Sequence, residues 1–472
     1  MWSGRFREPL DARFEEWQRS FPFDWQLLPQ EIAASKAHAS ALAAAGLLSA
    51  AELKRVRDGL DAMRADCWDG PRRATLAADS RAEDVHHFVE LELTAHIGET
   101  ALKLHTGRSR NEQIATDLRL YVREQAATAQ DLLRSFALAL IDQAERAGAA
   151  VMPSYTHLQR AEPVLVAHWL LAYVSMLERD ISRLADLSQR LNYCPLGSGA
   201  IAGATLAVDR TIAARELGFT APTANSIDAT SDRDFLVEFL QALSLIALHA
   251  SRFAEEITLF ATAEFGFIAL PEAFSTGSSA MPQKKNPDLT ELVRGRAGRI
   301  VGAATAVQMQ LKGLPLAYNK DLQDMQPPLF DAITALLPML DLLAYFTQHL
   351  SLNLQMTEKA AQSGFLNAMA AATYLANRGI PFRTAHHVIG QAVRLALDKG
   401  CELDGLSLEE LHQLSPAFDQ DFYSSITLEA TIDCHDVIGG TARARVRNAL
   451  SAARTRLAAP ATMELETVSA SS

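Results

Sequence analysis

The sequence predicts an all-α protein built on a bundle of long helices, and three observations carry that prediction. Apolar residues recur at alternating spacings of three and four, strand signals are weak, and polar stretches, three of them glycine-bearing, interrupt the helices at four places. From Leu170 the apolar positions are Val174, Leu177, Ile181, Leu184 and Leu191, interrupted only at Ser188, which is the seam of a helix packed in a bundle or coiled coil. A second long helix is expected over about 235–262, with Leu236, Leu240, Leu243, Ile246, Phe253, Ile257 and Phe260 along its stripe. At 1.5 Å per residue it would be about 40 Å long, more than one compact domain needs. Two further helices are expected over roughly 289–311 and 329–350. Ala and Leu dominate the stripes and their flanks, which favours an elongated bundle partly buried by other subunits; a monomeric bundle is the alternative. Few β-branched alternations occur, none is bracketed by a tight hairpin turn, and no repeat is visible. Residues 459–472 read as a polar, flexible tail.

A chain of 472 residues, 49% hydrophobic and 21% charged, can bury the cores of two or three domains. The net charge of −12 comes without any Lys/Arg-rich run, so the electrostatic footprint of a nucleic-acid binder is absent. Cys67, Cys194, Cys401 and Cys434 are too scattered for a disulfide scaffold or a zinc cluster, and they read as free, mostly buried thiols in a reducing compartment. The start, Met1 to Arg5, lacks the apolar stretch of a signal peptide, and no uninterrupted apolar run reaches the length of a membrane span. A cytoplasmic protein with no membrane partner is expected.

The four interruptions are 104–113, 153–163, 194–203 and 271–288. Breaks of this kind present polar groups on a rigid scaffold. In the first, Arg108, Ser109, Arg110, Asn111 and Gln113 are dense enough in donors to bind carboxylates, Arg through its bidentate fork. The second sets the Thr156 hydroxyl beside His157, which is either an acid–base group or a satisfied structural histidine. The third, with Gly197, Gly199 and Gly203, follows no strand and reads as a structural turn rather than a phosphate loop. The fourth joins the Gly277-Ser278-Ser279 hydroxyls to Lys284-Lys285-Asn286 and ends on Asn286-Pro287, a helix start. Alone it could be a solvated loop; three donor-rich breaks in one helical chain point to a site.

The segments 103–111 (KLHTGRSRN), 155–161 (YTHLQRA) and 276–287 (TGSSAMPQKKNP) resemble, in order, the three signature regions of the aspartase/fumarase superfamily, and within it the argininosuccinate lyases. Further likeness lies at 195–200 (PLGSGA), 225–229 (NSIDA), 318–323 (YNKDLQ) and 439–442 (GGTA), so it covers nearly the whole chain and weakens after about 450. The Gln283-Lys284-Lys285-Asn286 core sets it apart from fumarase and adenylosuccinate lyase relatives. The resemblance implies three helical domains, 1–108, 109–355 and 356–458, the central one a long-helix bundle shared across a homotetramer with composite sites.

It also implies a carbon–nitrogen lyase of arginine biosynthesis that releases fumarate from argininosuccinate; the alternative is a related lyase acting on another N-succinyl amine or aminopolycarboxylate. Such chemistry needs a base for a weakly acidic proton, stabilisation of an aci-carboxylate, and an acid for the leaving nitrogen. By resemblance Ser278 is the base, Lys284 and Asn286 hold the dianionic carboxylate, and His157, oriented by Glu291, assists protonation. Ser109, Asn111 and Thr156 bind the succinyl carboxylates, Ser20, Arg110, Tyr318 and Gln323 face the other end, and Asp24 and His86 join the binding set. The loop near 275–288 is expected to close over substrate. No metal or organic cofactor is implied; the expected partners are the substrate, fumarate, arginine or another amine, and copies of the same chain.

Departures from the family pattern cluster at the amine end. Where that family has a lysine after Tyr-Asn-Lys-Asp-Leu-Gln, this chain has Gln326. Glu112 stands where Asp is usual, Glu162 where Gln is common, and 87–93 diverges although Glu83-Asp84-Val85-His86 fits.

Overall fold

The computed structural model describes residues 7–458, so the tail expected at 459–472 lies outside the described residues. Helices dominate, as the spacing predicts. The principal ones are α1 (Leu28–Ala44), α2 (Val85–Ile97), α3 (Arg110–Ala147), α4 (Val166–Leu191), α5 (Asp234–Phe260), α6 (Asp288–Leu311), α7 (Gln326–Gln348), α8 (Phe382–Lys399) and α9 (Arg443–Ala458). The chain forms two compact units: one of Met1–Gln130, Ser182–Ala247 and Arg296–Leu337, the other of Asp131–Ile181, Leu248–Gly295 and Pro338–Ser472. Each of α3 to α7 contributes one part to each unit.

Every apolar residue expected along α5, from Leu236 to Phe260, is buried. On α4 the expected seam holds at Leu170, Val174, Leu177, Leu184 and Leu191, but two positions differ. Leu187, not Ser188, continues the seam, and buried Asp180 sits beside the half-buried Ile181. Asp180 avoids the cost of an unpaired buried carboxylate because His249 Nδ1 lies 2.7 Å from its Oδ2. Aromatic rings fill the space around α4 and α5 in the second unit: Trp169 meets Phe260 edge-on and Tyr173 meets Phe253, with ring centroids 5.6 and 5.2 Å apart. Trp169 Nε1 and the Tyr173 hydroxyl both donate to Glu256, so the polar tips of the two rings are satisfied.

The stretches Asp234–Phe260 and Lys320–Gln348 are long and apolar enough to cross a membrane by length and composition, yet 56% and 61% of their most apolar windows are buried, as in core helices. A separate apolar cluster, including Leu375, Ile389, Leu403, Leu411, Phe418 and Phe422, closes the C-terminal part of the second unit around α8. Of the four cysteines only Cys67 and Cys194 are buried; Cys401 is half-buried and Cys434 exposed, so the expectation of mostly buried thiols holds for two.

One expectation is overturned. The segment 153–163 is not an open loop but part of an antiparallel hairpin, β1 (Val151–Thr156) with β2 (Gln159–Leu165), Thr156 facing Gln159 across a two-residue turn. The turn residues His157 and Leu158 both have φ of 56°, the left-handed region that tight hairpins require and usually fill with Gly, Asn or Asp. With neither at the tip, the usual turn signal is missing from the sequence.

Candidate active site

The N-terminus of α3 organises the first signature segment. Ser109 caps the helix: its hydroxyl oxygen accepts the Asn111 amide at 3.3 Å, while its own amide donates to Glu112 Oε1 at 3.0 Å. Glu112 Oε2 accepts the Gly199 amide at 2.8 Å, so one carboxylate ties the cap to the glycine turn at 194–203. Burial pushes the Glu112 carboxyl up, and these two amides pull against it. Arg210 stitches the same turn by donating to the carbonyls of Leu196 and Thr223, among others. The turn follows a two-residue strand, Tyr193–Cys194, where none was expected, and Asn111 reaches it through Nδ2 to the Ala200 carbonyl at 3.2 Å.

Not every donor of this segment is available to a ligand. Arg108 and Gln113 point inward: Arg108 donates to Ser35 Oγ at 2.9 Å and Gln113 to Glu31 Oε1 at 3.0 Å. Reading them as ligand-binding groups is corrected: Arg108 supplies positive charge, and Gln113 a hydrogen bond, to the buried Glu31 carboxylate. Arg110 donates to Asp84 Oδ2 at 2.8 Å.

In the first unit a cavity of about 170 Å³ brings together Ser20, Asp24, His86, Arg110, Asn111, Tyr318 and Gln323, seven of the residues singled out from the sequence. Ser109 lines a neighbouring, more open pocket with Arg108, Arg110 and the glycine turn. At the cavity wall the Ser20 hydroxyl donates to Asp24 Oδ2 at 2.6 Å, and the first amide of α2, that of Val85, donates to Asp24 Oδ1 at 3.0 Å. Gln323 donates to the Gln18 carbonyl at 3.0 Å. Gln326 also lines the cavity, buried, with its Oε1 unpartnered. Burial raises the Tyr318 hydroxyl above its usual range, opposed by the charge of Arg233. Arg233 is fully buried with Nε and one terminal nitrogen unpartnered; an isolated arginine between Asp232 and Asp234 carries no sequence signal of that burial.

Burial, then the charge of Asp84, pushes the Asp24 carboxyl up to about 7, against the Ser20 hydroxyl, the charge of His86 and the Val85 amide. Because that value lies above the ordinary carboxylate value of 3.8, ionising Asp24 costs folding stability. The cost is absent below about pH 4, grows through the window from about 4 to about 7, and is complete above it. Asp24→Asn should therefore stabilise the fold at pH 8, by up to a few kcal/mol, and not at pH 4. Denaturant melts of both proteins at the two pH values check this, and an equal effect at both would contradict it.

The remaining sequence-predicted residues lie in the second unit. Thr156 and His157 are exposed at the tip of the β1–β2 hairpin, His157 in the left-handed backbone region, which costs roughly 1–2 kcal/mol for a residue with a side chain. The loop carrying Ser278 is clasped by a small ladder, β3 (Thr276–Gly277) against β4 (Lys285–Asn286). The Thr276 amide and hydroxyl donate to Asp288 Oδ2, at the first residue of α6. Lys285 is used up by the Leu270 carbonyl, to which its Nζ donates at 2.6 Å, whereas the Lys284 side chain is exposed. Asn286 Nδ2 lies 3.4 Å from the Gly277 carbonyl. Ser278 Oγ accepts two backbone amides, from Ala280 at 3.3 Å and Met281 at 3.1 Å. Glu291 is exposed one turn into α6 with Arg294 3.9 Å away, and among the described residues no hydrogen bond joins it to His157.

The family model described as Lyase matches residues 4–302, more than half of the chain, and places the protein among the lyases. A second model, Argininosuccinate lyase C-terminal, matches 365–433. Curated argininosuccinate lyases are similar over nearly the whole chain: that of Acidobacterium capsulatum is 66% identical over 97% of this chain and 94% of its own, and that of Koribacter versatilis 56% identical over 97% and 98%. The chain belongs to the argininosuccinate lyase family. Among solved structures, an EDDS lyase in complex with formate superposes with a TM-score of 0.81 at 25% identity, covering 92% of this chain and 87% of that one. A class II fumarase from Schistosoma mansoni, at 15% identity and a TM-score of 0.73 over 87% and 91%, shares the fold.

Proposed function

We propose that the chain catalyses the reversible β-elimination of fumarate from argininosuccinate, releasing arginine, with Ser278 as the base. The observation that carries the base assignment is the pair of amides from Ala280 and Met281 directed at Ser278 Oγ. A serine oxygen is a poor base at its ordinary pKa, and donors already aimed at it lower the cost of the negative charge it must hold. The Ser278 alkoxide takes the proton from the succinyl carbon next to a carboxylate. The electron pair moves into that carboxylate, giving an aci-carboxylate dianion held by Lys284 and Asn286. As the dianion collapses the carbon–carbon double bond forms and the carbon–nitrogen bond breaks. The leaving guanidino nitrogen takes that bond's electron pair and a proton delivered with the help of His157. Ser109, Asn111 and Thr156 hold the succinyl carboxylates. Ser20, Asp24, His86, Arg110, Tyr318 and Gln323 face the arginine end.

The working assembly proposed is a homotetramer, in the cytoplasm, with each site completed by segments of different copies. His157, Lys284 and Glu291 are exposed in the single chain, although acid–base chemistry on a carbon acid needs water excluded. Leu245, Leu248, Leu292, Met309 and Tyr345 are exposed on the long helices, where further copies of the chain would cover them. The Glu291–His157 pairing belongs to that assembly.

Gln326 favours keeping a second reading, elimination from another N-succinyl amine, because the chain has a neutral amide where its relatives are expected to carry charge. One experiment separates the two. The enzyme is incubated with fumarate and a panel of amines, arginine included, and adducts are identified by mass spectrometry. Argininosuccinate is the expected product; adducts with other amines and none with arginine would overturn the substrate.

A further inference from the structure

We propose that His86 is a positioning residue for the amine end of the substrate: a buried imidazolium, fixed by Glu31, whose charge keeps the neighbouring Asp24 carboxylate ionised for a cationic ligand group. This rests on the proposed function insofar as the ligand end at Asp24 is taken to be a cation, the ammonium of an amino acid.

Three observations converge on the ring. His86 Nδ1 lies 2.8 Å from Glu31 Oε2 and 3.7 Å from Asp117 Oδ2, and all three side chains are buried. His86 lines the same cavity as Asp24, whereas Glu31 does not. Its Nε2 is buried without a partner.

The three donors could geometrically hold a metal ion, but the Arg108 guanidinium, 3.7 Å from Glu31 Oε1, already supplies positive charge, and Glu31 Oε1 also accepts from Ser35 and Gln113. A proton on the imidazole completes the set with less charge. Burial disfavours the imidazolium, and the Glu31 carboxylate outweighs it, so His86 stays above its usual range. Burial likewise opposes the Glu31 charge, and His86 and Arg108 hold that carboxyl well below its usual range. Burial, then the charge of Glu31, pushes the Asp117 carboxyl well above its usual range.

Asp24 therefore depends on its neighbours. It feels the charges of Asp84 and His86 and in turn raises Asp117, and Arg110 is bound to Asp84. Glu83, Tyr318 and Lys320 complete the charged and titratable lining. With Arg110 held by Asp84 and Lys320 by Glu83, the charge of His86 is what pulls the Asp24 carboxyl down, and its loss would move that carboxyl further up.

The test measures KM and kcat for argininosuccinate, and calorimetric Kd values for arginine and for fumarate, at pH 7 and pH 9 in the wild type, His86→Asn, Glu31→Gln and Glu31→Asp. An upward move of about one unit at Asp24 would cut its ionised fraction at pH 7 roughly fivefold and at pH 9 hardly at all. The expected result is a roughly fivefold rise in KM and in the arginine Kd at pH 7 for His86→Asn and Glu31→Gln, with near-normal kcat and fumarate Kd and convergence on the wild type at pH 9. Glu31→Asp, which keeps the carboxylate, should restore most of the wild-type behaviour. A deficit that persists at pH 9, or that falls equally on fumarate, overturns the inference. Should His86→Asn fail to fold, Glu31→Gln and the wild-type pH dependence of arginine binding carry the same test, since arginine affinity must weaken below about pH 7. A wild type that does not cleave argininosuccinate at all would instead defeat the proposed function.

Discussion

Ser278→Ala should lower turnover on the order of a thousandfold or more while leaving the fold intact. The two properties separate because of where the residue sits. Among the described residues its hydroxyl oxygen accepts the amides of Ala280 and Met281 alone, within an exposed loop, so removing it breaks no buried contact. The loss should fall on kcat, since the hydroxyl is needed for proton abstraction and not for holding the succinyl carboxylates. Steady-state kinetics and a thermal melt check both halves. Near-normal kcat would remove Ser278 from the base role.

Lys284→Met should be the next most damaging change, lowering kcat by about a hundred- to a thousandfold. Lys284 and Lys285 are neighbours, yet the fold gives them different work. Lys285 secures the loop through the Leu270 carbonyl, and the exposed Lys284, unpartnered among the described residues, can meet a dianionic carboxylate. Lys285→Met should therefore disturb loop stability more than transition-state charge. The comparison is made by kcat at saturating substrate, with melting curves beside it. Equal kcat losses in both variants would contradict the division of roles.

What the sequence made legible follows from how local each signal is. The long helices were readable because their stripes repeat over many turns, so that all seven apolar positions named along α5 are buried. The β1–β2 hairpin was not, because its turn is His157-Leu158, residues that adopt a left-handed backbone only when the surrounding structure holds them there. The cavity residues were legible through family resemblance, and the structure gathers seven of them. Burial direction was not legible: nothing in 108–113 distinguishes Arg108 and Gln113, turned inward onto Ser35 and Glu31, from Asn111 at the cavity. Glu31 itself lies in an Ala-rich stretch of α1, and only the fold reveals that it is the buried counter-charge of two cations. Glu112 read as a departure from a pattern; in the fold it is the carboxylate that joins the helix cap to the glycine turn.

The most direct measurement of the central claim is a crystal structure of the assembled enzyme with arginine and fumarate bound and the 271–288 loop closed. The account predicts the Ser278 oxygen within about 3–3.5 Å of a fumarate carbon, with Lys284 and Asn286 on the adjoining carboxylate. A closed loop that left residue 278 remote from both fumarate carbons would contradict it.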